Sequence, residues 1–238
     1  MLLKSLREEV LEANLELVRR GLVLYTFGNV SGVDREQGMV VIKPSGVDYD
    51  ELKPEDMVIT DLDGKILEGS LRPSSDLDTH TLLYREFAGI GGVVHTHSEF
   101  ATSFAQAGLP IPPFGTTHAD YFHGPVPVTA PLSDHAIQGR YVHETGLAIV
   151  SRFRGEQGDA AVDPMAVPAC LVVGHAPFVW GRSVAEAVHN AVVLEAVARM
   201  AYRTLSLRAD ADEVSQALLD RHHLRKHGKG ATYGQGKP

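Results

Sequence analysis

The segment Ile90-Gly-Gly-Val-Val-His-Thr-His97 constrains this chain more than any other. An apolar run ends in two histidines spaced i, i+2. Read as a strand, its side chains alternate between faces, so His95 and His97 point the same way. Two imidazoles on one face at a strand end can grip a single metal ion, and a strand holds them as still as a catalytic site requires. An isolated pair of this kind is more often a polar edge feature. The remaining sequence decides between the two readings.

Around that strand, helical and extended patterns mix without strict βαβ alternation. Residues 3–20 place Leu3, Leu6, Val10, Leu17 and Val18 on one helical stripe, with Gly21 as a stop. Residues 40–42 and 57–60 read as short strands, and Asp63-Gly64 reads as a hairpin turn ahead of Ile66-Leu67. Ser74 and Ser75 precede a helical run through Phe87, and by propensity Ser75 and Asp76 cap it. Ser98 opens a helix through Ala107, and residues 109–113 form a loop. Residues 126–129 fit a strand, residues 145–153 fit either a helix or a strand, and residues 169–173 form a β-rich strand. Ser183-x-x-Glu186 is a capping box before a long helix to about Leu207, and a last helix covers roughly residues 212–223. Neither an internal repeat nor a linker is visible. The pattern predicts one α/β domain over residues 1–238, with helices flanking a single sheet.

Composition narrows the partners. The net charge of −8 argues against nucleic acid, which needs clustered Lys and Arg on its phosphates. Cys170 is the only cysteine, so a disulfide framework is ruled out and a reducing compartment is expected. The start of the chain is charged and amphipathic rather than a secretory leader, and no stretch approaches the roughly 20 apolar residues of a membrane span. The expectation is a cytoplasmic protein with no membrane partner.

Twelve histidines is a high count for an acidic chain of this kind, and three of them stand out. His95 and His97 share a strand face, and His175 follows the apolar run Leu171-Val-Val173. If the two strands are neighbours, three imidazoles converge at one end of the sheet. Three nitrogen ligands with open positions suit a catalytic divalent ion, whereas a structural zinc site would be closed by four ligands, usually with cysteine. Phe27-Gly-Asn-Val-Ser-Gly32 and Lys43-Pro-Ser-Gly46 read as glycine-containing polar turns. Their backbone amides could cradle an anion, with Asn29, Ser45, Ser74 and Ser75 adding donors and Lys43 adding charge. Taken singly, each is more often an ordinary turn.

Taken together and in order, these strings resemble the class II aldolase and L-ribulose-5-phosphate 4-epimerase family. The matching segments are Thr26-Phe-Gly-Asn-Val-Ser31, Ile42-Lys-Pro-Ser-Gly-Val-Asp48, Arg72-Pro-Ser-Ser-Asp76, Ile90 to His97 and Gly115-Thr-Thr-His-Ala-Asp-Tyr121. They continue through Ala187-Val-His-Asn190, Leu219-Asp-Arg-His222, Leu224-Arg-Lys-His-Gly228 and Tyr233-Gly-Gln235. The resemblance covers nearly the whole chain.

It implies a three-layer α/β/α fold around a central mixed, largely antiparallel sheet. It implies one zinc ion, or another divalent ion such as Mn2+ or Co2+, held by His95, His97 and His175 with Asp76 at the site. Gly28, Asn29, Lys43, Ser45, Gly46, Ser74 and Ser75 would bind a sugar phosphate. Asp120 and Tyr233 would be the acid/base pair, contributed by the neighbouring subunit of a homotetramer; without the family, the first reads as a loop carboxylate and the second as a tail aromatic. His222 is a weaker candidate. The implied reaction interconverts L-ribulose 5-phosphate and D-xylulose 5-phosphate by C3–C4 cleavage, aldehyde rotation and re-addition.

Family aldolases acting on fuculose or rhamnulose phosphate usually carry Glu at position 76, whereas the epimerase branch carries Asp, as here. Adducin-like scaffolds of the same fold lack the metal ligands that this chain has. Phe27 and Ala176 depart from the common Trp and Gly at those positions.

Overall fold

The computed structural model of the chain describes residues 2–156, 158–228 and 231–232. Seven strands form one sheet: β1 (Gly28–Asp34), β2 (Met39–Ile42), β3 (Val58–Asp61), β4 (Ile66–Glu68), β5 (Gly92–Thr96), β6 (Ala169–Leu171) and β7 (Pro177–Gly181). Their order is β4-β3-β2-β1-β5-β7-β6, and every pairing between them is antiparallel. The expected mixed character is confined to an isolated parallel bridge between Val128 and Leu171. The helices are α1 (Lys4–Arg19), α2 (Leu77–Glu86), α3 (Glu99–Ala107), α4 (Thr116–Ala119), α5 (Asp134–Gln138), α6 (Tyr141–Arg154), α7 (Val184–Leu207) and α8 (Gln216–His227).

Strand periodicity sorts the core into two apolar layers. Val30, Val41, Val94 and Val179 join Val10 and Leu17 of α1, Phe104 of α3 and Val188 of α7. Val40, Val93, Phe178 and Trp180 face the other way, onto Leu83 and Tyr84 of α2 and Ile149 and Phe153 of α6. The result is a three-layer α/β/α arrangement. All five residues of β5 are buried because this central strand is covered on both faces. Trp180 is fully buried, and its indole N–H donates to the Pro164 carbonyl at 2.7 Å, so the ring gives up no hydrogen bond. Burying a large apolar side chain contributes about 1.5–3 kcal/mol, so these two layers carry the stability. Gly92 and Gly181 are register partners under the start of α7. A Cβ on Gly92 would lie 2.6 Å from the Val184 Cα, and one on Gly181 would lie 2.6 Å from the Ala187 amide nitrogen. Side chains at these two positions would push the helix off the sheet.

Several sequence expectations need correction. Residues 28–32 are not a turn but the body of β1, near the middle of the sheet. Their polar pattern hides a strand because Asn29 is buried against Asp76, just before α2, and Ser31 against His80 and Tyr84 on α2. Residues 126–129 form only isolated bridges. The undecided stretch at 145–153 belongs to helix α6, and β7 was not anticipated. The last helix starts later than expected and runs on to His227. Asp76 precedes α2 as its N-cap residue but makes no side-chain cap bond. Its carboxylate turns toward the cavity described next.

Candidate metal centre

One end of the sheet carries a cavity of about 470 Å³. It is built where β1, β5 and the β6–β7 turn meet the start of α2. Asn29 of β1 lies opposite His95 of β5, and His95 lies opposite Phe178 of β7. Phe178 stacks on the His95 ring with centroids 4.3 Å apart. His97 follows β5 on the same face as His95. His175 arrives from the tight turn after β6, where Gly174 adopts φ +69° and the His175 amide donates to the Val172 carbonyl. One ring nitrogen from each histidine lies within 4.8 Å of the other two.

The chemistry of this trio fits a divalent cation. His95 Nδ1 lies 3.0 Å from the Pro177 carbonyl oxygen. A carbonyl can only accept, so Nδ1 carries the hydrogen and Nε2 keeps a bare lone pair when the ring is neutral. Burial pushes His95 down to about 4, so the neutral form prevails near neutral pH. His95 Nε2 and His97 Nε2 face one another at 3.2 Å. Desolvation also lowers His97 and His175. Three weakly basic nitrogens turned toward one point are the donor set of an open divalent site.

Asp76 lines the same cavity but lies outside the three-histidine grouping. Its Oδ2 accepts from Asn29 Nδ2 at 2.7 Å and from Ser74 Oγ at 3.3 Å. Burial raises its pKa, but electrostatic interaction with His95 and His80 and the hydrogen bond from the Asn29 amide outweigh that, so the carboxyl stays below its ordinary range. Asp76 thus sets a negative charge beside the histidines.

The polar turn at residues 43–46 and the segment at residues 72–75 meet in the same cavity, where Lys43, Ser45, Gly46, Ser74 and Ser75 line its wall. The two are stitched together, since the Ser45 amide donates to the Arg72 carbonyl and the Ser74 amide to the Lys43 carbonyl, both at 2.9 Å. Those two amides are therefore spent. Among the described residues, the Gly46 and Ser75 amides have no intramolecular acceptor and remain open to an anion, beside the Ser45 and Ser75 hydroxyls. Lys43 is buried, and its Nζ donates to the Val47 carbonyl at 2.7 Å. Burial lowers its pKa to about 8. Gly28 sits at φ +142°, and a Cβ there would lie 3.0 Å from the His95 carbonyl oxygen and 2.7 Å from Val23 Cγ1. Only glycine lets β1 pass so close to the histidine strand.

Eleven of the thirteen residues expected from the sequence therefore line this one cavity. Asp120 does not. It ends α4, and its carboxylate meets His222 Nδ1 at 3.0 Å, Arg225 Nη2 at 3.0 Å and Lys226 Nζ at 3.7 Å. Desolvation raises its pKa, but the hydrogen bonds from Arg225 and His222 and the charge of Lys226 bring it below the ordinary value. Tyr233 lies outside the described residues. The cavity also contains Tyr141 and Val142 from the start of α6, which the sequence did not single out. Tyr141 Oη lies 3.1 Å from His175 Nδ1. A lone aromatic beside a helix start carries no sequence signal of that contact.

Residues 8–202 match the model of the class II aldolase and adducin N-terminal domain. The chain belongs to this family. It is 49% identical, over 98% of its own length and 100% of the relative's, to "L-ribulose-5-phosphate 4-epimerase UlaF" of Salmonella paratyphi A. Among solved structures of class II aldolase type, it is similar to an L-fuculose 1-phosphate aldolase at 22% identity and TM-score 0.73, covering 92% of this chain and 94% of that one. It is also similar to YgbL of Escherichia coli, a putative aldolase/epimerase/decarboxylase, at 26% identity and TM-score 0.72, covering 92% and 97%. These likenesses bear out the fold class expected from the sequence. No described helix is long and apolar enough to cross a membrane.

Proposed function

We propose that this chain is a divalent-metal-dependent L-ribulose-5-phosphate 4-epimerase, working as a single domain in a cytoplasmic homotetramer. The observation that carries this reading is the full-length likeness to an epimerase of that name. The meeting of a three-histidine cluster and two anion-ready segments in one cavity supports it.

Carbon 4 of the substrate is not adjacent to the ketone and has no acidic proton, so simple deprotonation cannot invert it. Inversion needs the C3–C4 bond to break and re-form. His95, His97 and His175 would hold a zinc, manganese or cobalt ion, with Asp76 beside them. The bound ion supplies Lewis acidity for charge developing on the ketone side.

The Gly46 and Ser75 amides, with Asn29, the Ser45, Ser74 and Ser75 hydroxyls and Lys43, bind the phosphate. Gly28 keeps that wall close to the histidines. A base removes the C4 hydroxyl proton. The C3–C4 pair then shifts to give the enediolate of dihydroxyacetone and glycolaldehyde phosphate. The phosphate contacts retain the aldehyde while its carbonyl turns over. The enediolate re-adds to the other face, and an acid returns the proton. Two proton-transfer groups are needed, one for each face. Asp120 and Tyr233 of an adjacent subunit fill those roles. The ion pairs around Asp120 keep it deprotonated, which is the form a base requires.

The test is incubation with L-ribulose 5-phosphate while D-xylulose 5-phosphate and free glycolaldehyde phosphate are both assayed. Xylulose 5-phosphate without accumulating aldehyde is the expected result. Net aldehyde release would instead make this chain a phosphoketose aldolase, and neither product would sink both readings.

A further inference from the structure

The three histidines differ in how they are held. His95 sits within β5 and is fixed by a main-chain carbonyl. His97 follows that strand directly. His175 stands on a tight turn between two strands and has no strand backbone of its own. The side chain that reaches its Nδ1 is Tyr141, at 3.1 Å, with the two rings tilted at 33° and centroids 6.1 Å apart.

Tyr141 is well placed to act as a fixed post. It is the first residue of α6, and Thr145 Oγ1 donates to its carbonyl at 2.9 Å. The next carbonyl, that of Val142, accepts from Thr79 Oγ1 of α2 at 2.6 Å. Gly146 lets the two helices pack closely, since a Cβ there would lie 2.7 Å from Leu82 Cδ2. The main chain that carries the phenol is therefore anchored to α2, the helix that starts just after Asp76. The residue remains 37% exposed and lines the cavity.

We propose that Tyr141 is a positioning residue for His175: its oxygen accepts the Nδ1 hydrogen, which fixes the ring and its tautomer and leaves Nε2 bare for the ion. This rests on the metal-dependent reading above. It makes the phenol the counterpart of the Pro177 carbonyl at His95. The two histidines are then prepared alike, one by main chain and one by a side chain from another layer. A further result is that the Tyr141 hydroxyl hydrogen is not used on His175 and stays available to an oxygen in the cavity.

Two measurements on the wild type and Tyr141→Phe test this. Co2+ affinity by chelator competition should fall by about 10–100-fold in the variant, the usual loss when a ligand's outer partner is removed. Nitrogen-15 spectra of the metal-free protein should show His175 as the Nδ1–H tautomer in the wild type and a mixed population in the variant. The melting temperature of the metal-free variant should match the wild type, since the phenol reaches solvent. Equal Co2+ affinity in the two proteins overturns the role of Tyr141 and leaves the metal reading intact. A wild type that binds no Co2+ overturns both. An Nε2–H tautomer in the metal-free wild type overturns the proposed direction of the hydrogen bond.

Discussion

The cavity end of the sheet and the α4–α8 corner both gather charged and polar groups, and they treat charge in opposite ways. At the sheet end, three imidazoles bring ring nitrogens close to one another, with the Asp76 carboxylate in the same cavity. At the α4–α8 corner, the Asp120 carboxylate already has Arg225, Lys226 and His222 around it, and His227 Nε2 donates to the Asp120 carbonyl at 2.9 Å. One region offers a cluster of donor atoms, and the other pairs its carboxylate with cations of its own chain. The first is prepared to take a ligand, while the second is prepared to keep one group ionised and in place.

The largest test of that contrast removes one of the three donors. His97→Asn should reduce bound metal from about one ion per chain to near zero and abolish turnover. Elemental analysis and the epimerase assay read the two effects, and undiminished metal would remove His97 from the site. The same variant probes where the second region acts. Mixed with Tyr233→Phe in exchanged oligomers, it should restore activity at about a quarter of the sites, because random assortment pairs one intact half with the other at that frequency. Verified mixed oligomers at background would place both halves of the site on one chain.

A smaller loss is expected at the border of the cluster. Asp76→Asn should cut turnover on the order of 10–100-fold, as for other groups that orient ligands. The fold should survive, because Asp76 makes no cap bond to α2. Normal turnover would reduce Asp76 to the residue before a helix.

The smallest effect concerns the satisfied region. Arg225→Ala removes one of the hydrogen bonds that hold Asp120 low. The Asp120 pKa should rise, so the acid limb of kcat/KM should move to higher pH while His222 and Lys226 stay in place. A profile that stays put means that Asp120 does not limit the reaction at low pH.

The contrast also explains what could be read from sequence. The His95–His97 pair was legible because a period of two forces both rings onto one face, and His175 was legible because an apolar strand precedes it. Asp76 could not be resolved from propensity, since a helix start favours Asp whether it caps the helix or faces a ligand. β1 was missed because its glycine and polar residues, Gly28, Asn29 and Ser31, are those that make a segment look like a turn. Ser31 Oγ lies 2.7 Å from His80 Nδ1 and 2.8 Å from Tyr84 Oη, so its polarity is consumed by α2 rather than by water. Tyr141 lies 34 residues from its partner, with no periodicity linking the two.

Asn29, His95 and Phe178 form one rank across three adjacent strands, and that rank limits how the sheet can assemble. Because side chains alternate faces, moving a strand by one residue along its neighbour exchanges its two sides. A slipped β1 or β5 would drive Asn29 or His95 into the valine layer beneath α1 and α7, leaving polar groups there without partners at a cost of roughly 1–3 kcal/mol each. The same slip would turn Val30 or Val94 onto the α2 face, in place of the polar side chains that line the cavity. The side chains that line the cavity therefore also reject misaligned pairings during folding, and replacing them with small apolar residues would remove a safeguard of alignment together with the chemistry.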